Sequence, residues 1–257
     1  MTQAFLKVQD YDGESQICYV QEKWDGWRLR VERGPAGDPV RFLLRTIDAT
    51  AVLIETSWGR RLAQQLPLDS AVEMELLVPG QPATYIATAL KSAPEQLRVR
   101  GFAVPRWQGA DAALRDLAWA DAIFTTVLEL PFAHWFTMQD LEVPVLLETL
   151  AQQNAQAGPT EQIEGWVLKR ANYAGWYRVK PTRTMDLVVM GLVPGKGRLS
   201  GQIASLVGGV YQAGTLTKVA QVAGLDEFLR CTLSESDLGR VFEVEFQNVC
   251  AQGGLRN

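Results

Sequence analysis

The chain has 257 residues, 47% of them hydrophobic and 21% charged, enough apolar material for one large or two modest cores with no need for disorder. Its 25 basic and 29 acidic residues leave a formal charge of −4, which taken alone argues against a nucleic-acid partner, because phosphate neutralisation relies on clustered Lys and Arg. The start MTQAFLKVQDYDGES lacks the basic lead and apolar run of a signal peptide, and no stretch reaches the ~20 apolar residues of a membrane span; a cytoplasmic monomer with no membrane partner is expected.

In chain order, ICYVQ, WRLRVER and RFLLRT alternate apolar and polar residues and predict strands, with Gly-Pro-Asp clusters such as ERGPAGDP as their turns. ATAVLIETSWGRRLAQQL then has apolar residues at helical spacing, AVEMELLV reads as a strand, and YIATALKSAPEQL, DAALRDLAWADAIFTTVL and DLEVPVLLETLAQQNAQAG read as helices, the first and last of these interrupted by proline. AGWYRVK and DLVVMGLV are expected to close the antiparallel sheet of this α+β region. After about Leu187 the strands become glycine-punctuated (GQIASLVGGVYQ, GTLTKVAQVAG, GRVFEVEFQNVC), with only the short helix LDEFLRCTL among them. Seventy residues of this kind, 188–257, fit a small β-barrel such as an OB-fold, and 1–187 form the first domain. The three cysteines, Cys18, Cys231 and Cys250, have no metal-like spacing and read as reduced thiols.

The chemistry is concentrated at QEKWDGWR, residues 21–28. Asp25-Gly26 suits a hairpin tip, but a tip does not require Lys23. A lysine amine is nucleophilic only when deprotonated, which takes desolvation or a neighbouring cation. Trp24 and Trp27 supply apolar walls, and Arg28 a forked donor for phosphate or sugar. Between Glu164 and Asp186 the chain carries Lys169, Arg170, Arg178, Lys180 and Arg183 with no acidic residue among them, so a local basic surface is expected despite the acidic total.

The spacing Lys-x-Asp-Gly-x-Arg resembles motif I of the covalent nucleotidyltransferases: ATP-dependent DNA ligases, RNA ligases and mRNA capping enzymes. Further segments follow in the order of that superfamily. Arg45-Thr46 falls where these ligases carry an arginine-containing loop. Glu75 in VEMELLV is similar to the glutamate of an Asp-Gly-Glu-Leu strand, with Glu73 and Met74 in place of Asp-Gly. Phe102 in RGFAVP resembles the aromatic that stacks on adenine, with Ala103 where an aspartate is usual. EGWVLK (164–169) resembles motif IV, and WYRVKP (176–181) motif V with Arg178 for its first lysine. MDLVVMGLVPGKGRLSGQIASLVGGVY resembles the entry to the OB domain of DNA ligases.

The resemblance implies a minimal ATP-dependent DNA ligase in which a nucleotidyltransferase domain precedes an OB domain. Lys23 would take AMP from ATP as a phosphoramidate, the AMP would pass to the 5′-phosphate of a nick, and the 3′-hydroxyl would then displace it. Gln21, Glu22, Arg28, Arg45, Glu75, Phe102, Arg178 and Lys180 would hold the nucleotide, and Glu164 with Glu75 would hold Mg²⁺, which prefers few carboxylates plus substrate oxygens. The partner would be nicked duplex DNA, bound through phosphates. Each residue also has a plainer role: Lys23, Arg178 and Lys180 as solvated charges, Glu75 and Glu164 as polar strand residues, Phe102 as core, and the lone His134 as packing. An RNA ligase, a GTP-using capping enzyme and a nick- or nucleotide-binding homologue that has lost self-adenylation are the alternatives. The resemblance further implies a basic motif VI after the OB domain. The sequence ends at GGLRN, where that segment would begin, and Arg256 is the nearest substitute for orienting pyrophosphate.

Overall fold

Leu29 and Val31 in WRLRVER enter one core while Arg28, Arg30 and Glu32 emerge on the opposite face, the period of two that a pleated strand imposes. The same logic organises the whole computed structural model, which describes residues 8–11, 19–111, 116–138, 142–158, 160–170, 175–246, 248–249 and 255–256. Contacts divide it into two units, 1–180 and 181–257.

The first unit runs β1 (Val8–Asp10), β2 (Tyr19–Lys23), β3 (Trp27–Arg33), β4 (Arg41–Leu43), α1 (Thr50–Leu53), α2 (Ser57–Gln65), β5 (Ser70–Leu77), α3 (Ile86–Ser92), β6 (Arg98–Trp107), β7 (Ala110–Asp111), α4 (Leu117–Ala122), β8 (Trp135–Thr137), α5 (Val143–Gln156), β9 (Gly165–Lys169) and β10 (Trp176–Val179). Its strands form two five-stranded sheets, β1-β10-β9-β2-β8 and β4-β3-β5-β6-β7, antiparallel except for the parallel β1–β10 pair. The second sheet packs its apolar face on Leu53, Leu62, Ile86 and Phe124 from the helical segments. The first sheet packs Val20, Trp166 and Leu168 on Leu146 and Leu150 of α5. The strand β2 ends at Lys23, and a short turn through Gly26 carries the chain into β3 of the other sheet.

Local chemistry sets several boundaries. Thr56 caps α2 by accepting the Gly59 N–H at 3.0 Å, and Asp116 caps α4 by accepting the Trp119 N–H at 2.8 Å. Pro94 follows α3 in a separate 3₁₀ turn, as expected. Pro144, expected to interrupt its helix, instead lies in the first turn of α5, where a missing N–H costs nothing.

The second unit contains β11 (Arg183–Pro194), β12 (Ile203–Gln212), β13 (Thr215–Val222), α6 (Glu227–Thr232), β14 (Val241–Phe246), β15 (Asn248–Val249) and β16 (Leu255–Arg256). Its antiparallel sheet has the order β13-β12-β11-β14 around Val189, Leu206, Leu225 and Leu233. The sequence-based division at residue 187 falls inside β11, and the units divide seven residues earlier, after Lys180. DLVVMGLV therefore does not close the first unit's sheet: it lies in β11 and pairs with β12 and β14. Cys231 is exposed, and Asp111, expected to open the third helix, lies in β7, whereas Cys18, Cys250, residues 112–115 and 140–141 of the expected third and fourth helices and the glycines of GGLRN lie outside the described residues. No helix among the described residues is long and apolar enough to cross a membrane.

Gly101 shows how tightly the core behind β6 is closed. A Cβ there would meet the Phe124 ring at 2.3 Å, and that ring is fully buried. Gly101→Ala is expected to destabilise the chain by roughly 1–3 kcal/mol, read as a lower urea midpoint.

Candidate active site

Three segments far apart in sequence meet through strand register. Lys23, the last residue of β2, is the Cα partner of Gly165 in β9, and the Glu164 N–H donates to the Lys23 carbonyl at 2.7 Å. Across β9, Val179 of β10 pairs with Trp166, which brings Lys180 beside the same glycine. A Cβ on Gly165 would lie 2.3 Å from the Val179 carbonyl, so glycine is what allows β10 to approach. The result is a bridge: Glu164 Oε2 accepts from Lys23 Nζ at 2.5 Å, and Oε1 accepts from Lys180 Nζ.

The Glu164 carboxyl is buried, which works to raise its pKa, but the two ammonium groups outweigh burial and hold it below the usual range. Lys180 is lowered, first by burial and then by the charge of Lys23, against the opposing pull of Glu164.

The opposite wall belongs to the second sheet. Arg28, Glu75 and Arg100 are successive partners across β3, β5 and β6. Gly26 lies so close that a Cβ would meet the Leu76 carbonyl at 2.3 Å, and its N–H is donated to Glu75. Burial pushes the Glu75 carboxyl up to about 7; the charge of Lys23 lowers it, while Glu164 and Asp25 add to the rise. In β6 the pairing passes from Gly101 to Ala103, and Phe102 is the extra residue of a bulge. That bulge turns Phe102 into the cleft, where it meets Trp176 edge-on with centroids 5.7 Å apart. Between the sheets lies a cleft of about 240 Å³, partly open to solvent.

Most of the candidates come together here. Gln21, Glu22, Lys23, Arg28, Glu75 and Phe102 all line the cleft, with Glu164 and Lys180 bonded at Lys23. Gln21 donates to the Ala133 carbonyl at 3.3 Å. Glu22 accepts from Trp24 Nε1, the His134 backbone N–H and Gln153 Nε2, so its carboxylate anchors β2. Arg28 pairs with Glu73, which Arg30 also approaches at 3.6 Å; this explains why an acidic residue is buried at that position. His134 contributes backbone groups, its carbonyl accepting from the Glu22 N–H at 2.9 Å.

Two candidates are not drawn in. Arg45 is exposed in the turn after β4 and is not among the lining residues. Arg178 points to Asp10, with Nε to Oδ1 at 2.5 Å and a second contact at 3.2 Å. The basic run at residues 169–180 does not bring all of its charges to the surface either. Lys169 is fully buried, donating to the Phe102 carbonyl at 2.6 Å and lying 4.1 Å from the Trp176 ring centroid. Lys180 is engaged with Glu164. Trp176, Val167 and Arg100 also line the cleft; Arg100, two residues before Phe102 on the same side of β6, was marked in the sequence only by that spacing.

No family model matches the chain. A probable DNA ligase of Kineococcus radiotolerans is 32% identical over 201 residues, covering 73% of this chain and 38% of that protein. A probable DNA ligase of Streptomyces coelicolor is 27% identical over 223 residues, covering 77% and 42%. The chain thus spans about two-fifths of the length of the curated relatives it matches. Among solved structures, one described as a structure-function analysis of Lig E DNA ligases, on DNA binding with a minimal scaffold, superposes with a TM-score of 0.70 at 21% identity, over 100% of this chain and 97% of that one. Another, described as Pmar-Lig_Pre, gives a TM-score of 0.69 at 15% identity, over 97% and 65%. The chain has the mixed α/β fold with antiparallel sheets of these ligase structures.

The raised pKa of Glu75 has a consequence for stability. Between pH 4.5, the ordinary carboxylate value, and about 7, the folded chain keeps a proton that the unfolded chain has released. Stability therefore declines as pH rises through this window. Glu75→Gln removes the group, so the variant is expected to be more stable than the parent at pH 8, by about 3 kcal/mol at most, and no more stable at pH 4.5. Paired thermal melts across that range measure the difference.

Proposed function

We propose that this chain is an ATP-dependent nucleotidyltransferase that seals nicks in duplex DNA through a lysyl-AMP intermediate. The observation that carries the reading is Lys23 at the edge of an aromatic-lined cleft, bound to a carboxylate that also holds Lys180. An amine with a neighbouring cation and a buried carboxylate is suited to forming a bond to phosphorus, because phosphoryl transfer is governed by positioning and charge neutralisation. The names of the curated relatives and the fold shared with Lig E structures favour DNA ligation over RNA ligation or capping.

In the first step the Lys23 ammonium gives up protons to solvent as its nitrogen forms a bond to the α-phosphorus of ATP, the α–β phosphoanhydride breaks and pyrophosphate leaves. Lys180 offsets charge on the α-phosphate, and Phe102 and Trp176 enclose the base. The adduct removes the positive charge on Lys23, so Glu164 loses one of its two partners. In the second step a phosphate oxygen at the nick displaces the lysine and takes the AMP. In the third, the 3′-hydroxyl forms the phosphodiester and AMP departs.

Among the described residues no three His, Cys, Asp or Glu side chains cluster as a metal cage. Two carboxylates beside a phosphate nevertheless fit Mg²⁺, which keeps most of its coordination for water and substrate oxygens. Glu164 and Glu75 are the residues that would hold it, and the ion would supply charge compensation at the phosphates. We read the second unit as an OB-type barrel, supported by its glycine-punctuated antiparallel strands and the order β13-β12-β11-β14, and nicked DNA as the partner. A monomer working in the cytoplasm is consistent with this reading.

Incubation with ATP and Mg²⁺ followed by mass spectrometry should show one added AMP, located on Lys23 by peptide mapping. Lys23→Ala should abolish the adduct while leaving the melting profile little changed; an adduct that survives would reject the nucleophile assignment. Lys180→Ala should slow adduct formation roughly a hundredfold or more, whereas Arg178→Lys, at a side chain turned to Asp10, should leave the rate little changed. Equal losses in these two variants would mean that the cluster at Glu164 is not the phosphate site.

A further inference from the structure

Arg100 is a cation on the cleft wall to which the proposed chemistry gives no task. It is half-buried on β6, next to Glu75 across the strand pair and two residues before Phe102. Among the described residues its guanidinium meets no carboxylate at ion-pair distance. It rests instead on the ring of Trp24, 4.1 Å from the centroid. Burial weakens its hold on the proton, and only the more distant charges of Glu22 and Glu161 oppose that. A cation kept in a desolvated wall without a partner costs stability unless a ligand supplies acceptors.

The cleft divides chemically. Lys23, Glu164 and Lys180 make the charged end, where phosphate fits. Phe102, Trp176, Val167 and Ala133 make the apolar end, where a base fits. Arg100 is tied to the apolar end through Trp24, not to the lysine–carboxylate cluster. Guanidinium carries donors and no acceptor, so it cannot read the amino group of adenine but can donate to its ring nitrogens.

We infer that Arg100 is a specificity residue that reads the purine of the bound nucleotide, its guanidinium held over the Trp24 ring and donating to a ring-nitrogen acceptor. This rests on the nucleotide-binding reading of the cleft and adds to it the residue that distinguishes a purine by its acceptor edge. Contact with the Trp24 ring, 4.1 Å from the centroid, restricts the guanidinium, whose planar fork suits hydrogen bonding to the edge of a flat base. Phe102 and Trp176 would tolerate any base by stacking alone, so the donor is what makes the pocket selective.

The test is a set of binding cycles on the full chain with ATP, 1-deaza-, 3-deaza- and 7-deaza-ATP, and 2′-deoxy-ATP, followed by calorimetry. The parent should bind one of the three deaza analogues roughly tenfold or more weakly than ATP. Arg100→Met should lose a similar factor for ATP but bind that analogue as the parent does. Arg100→Lys, which keeps the charge without the planar fork, should fall between them, and it takes the place of Arg100→Met in the cycle if that variant does not fold. The inference is overturned if substitution weakens ATP and all three deaza analogues equally, or if the coupling appears with 2′-deoxy-ATP instead, which would assign Arg100 to the ribose. If the parent binds ATP with this coupling but forms no lysyl adduct, the ligase reading fails and the base-reading role stands. If the parent binds no adenine nucleotide, both fall.

Discussion

Glu164 holds two lysines together, and the organisation of the cleft follows from that bridge. Lys23 and Lys180 come from strands on either side of β9 and would repel one another across it; one buried carboxylate, with an oxygen for each, makes their proximity favourable. Breaking such an arrangement by removing its centre leaves uncompensated charge in a partly desolvated place, which is far more costly than losing an exposed pair. The bridge in turn depends on register. β2 and β10 must flank β9 with Lys23 and Lys180 at the same level, and Gly165 must offer no side chain where β10 passes.

The second sheet supplies what the bridge lacks. Its wall carries Glu75, Arg28 and Arg100 in a row across three strands, and a bulge adds Phe102. The polar members are handled in different ways. Arg28 is matched to Glu73, Glu75 is desolvated until its proton is held near neutral pH, and Arg100 lies on an aromatic ring. A cleft built between two sheets in this way has one charged end and one apolar end, the polarity that a nucleotide itself has.

Lys169 shows how close the site comes to its support. Fully buried, it fastens the Phe102 carbonyl and sits against Trp176, so a residue that reads in sequence as part of a basic run is structural underpinning for both rings. Arg178, from the same run, turns outward to Asp10. Of the basic residues that the sequence groups together, Lys180 is the one seen bonded into the cluster at Lys23 among the described residues.

The sequence by itself determined the local elements and the residue types brought together at QEKWDGWR. Alternation in WRLRVER and AVEMELLV becomes β3 and β5 because period-two burial is a property of short segments, and Lys23, Glu75, Phe102, Glu164 and Lys180 were legible from spacing and resemblance. What the tertiary structure decided concerns direction and partnership. DLVVMGLV is as apolar as a strand of the first unit, yet it pairs in the second, because strand pairing is a long-range choice that hydrophobicity does not encode. Arg45 and Arg178 share residue types with the cleft but face elsewhere, while Arg100 enters it without any motif to mark it. A side chain's role follows from which strands its own strand meets, at what register, and on which face. Those are facts about pairs of segments far apart in the chain, and no single segment carries them.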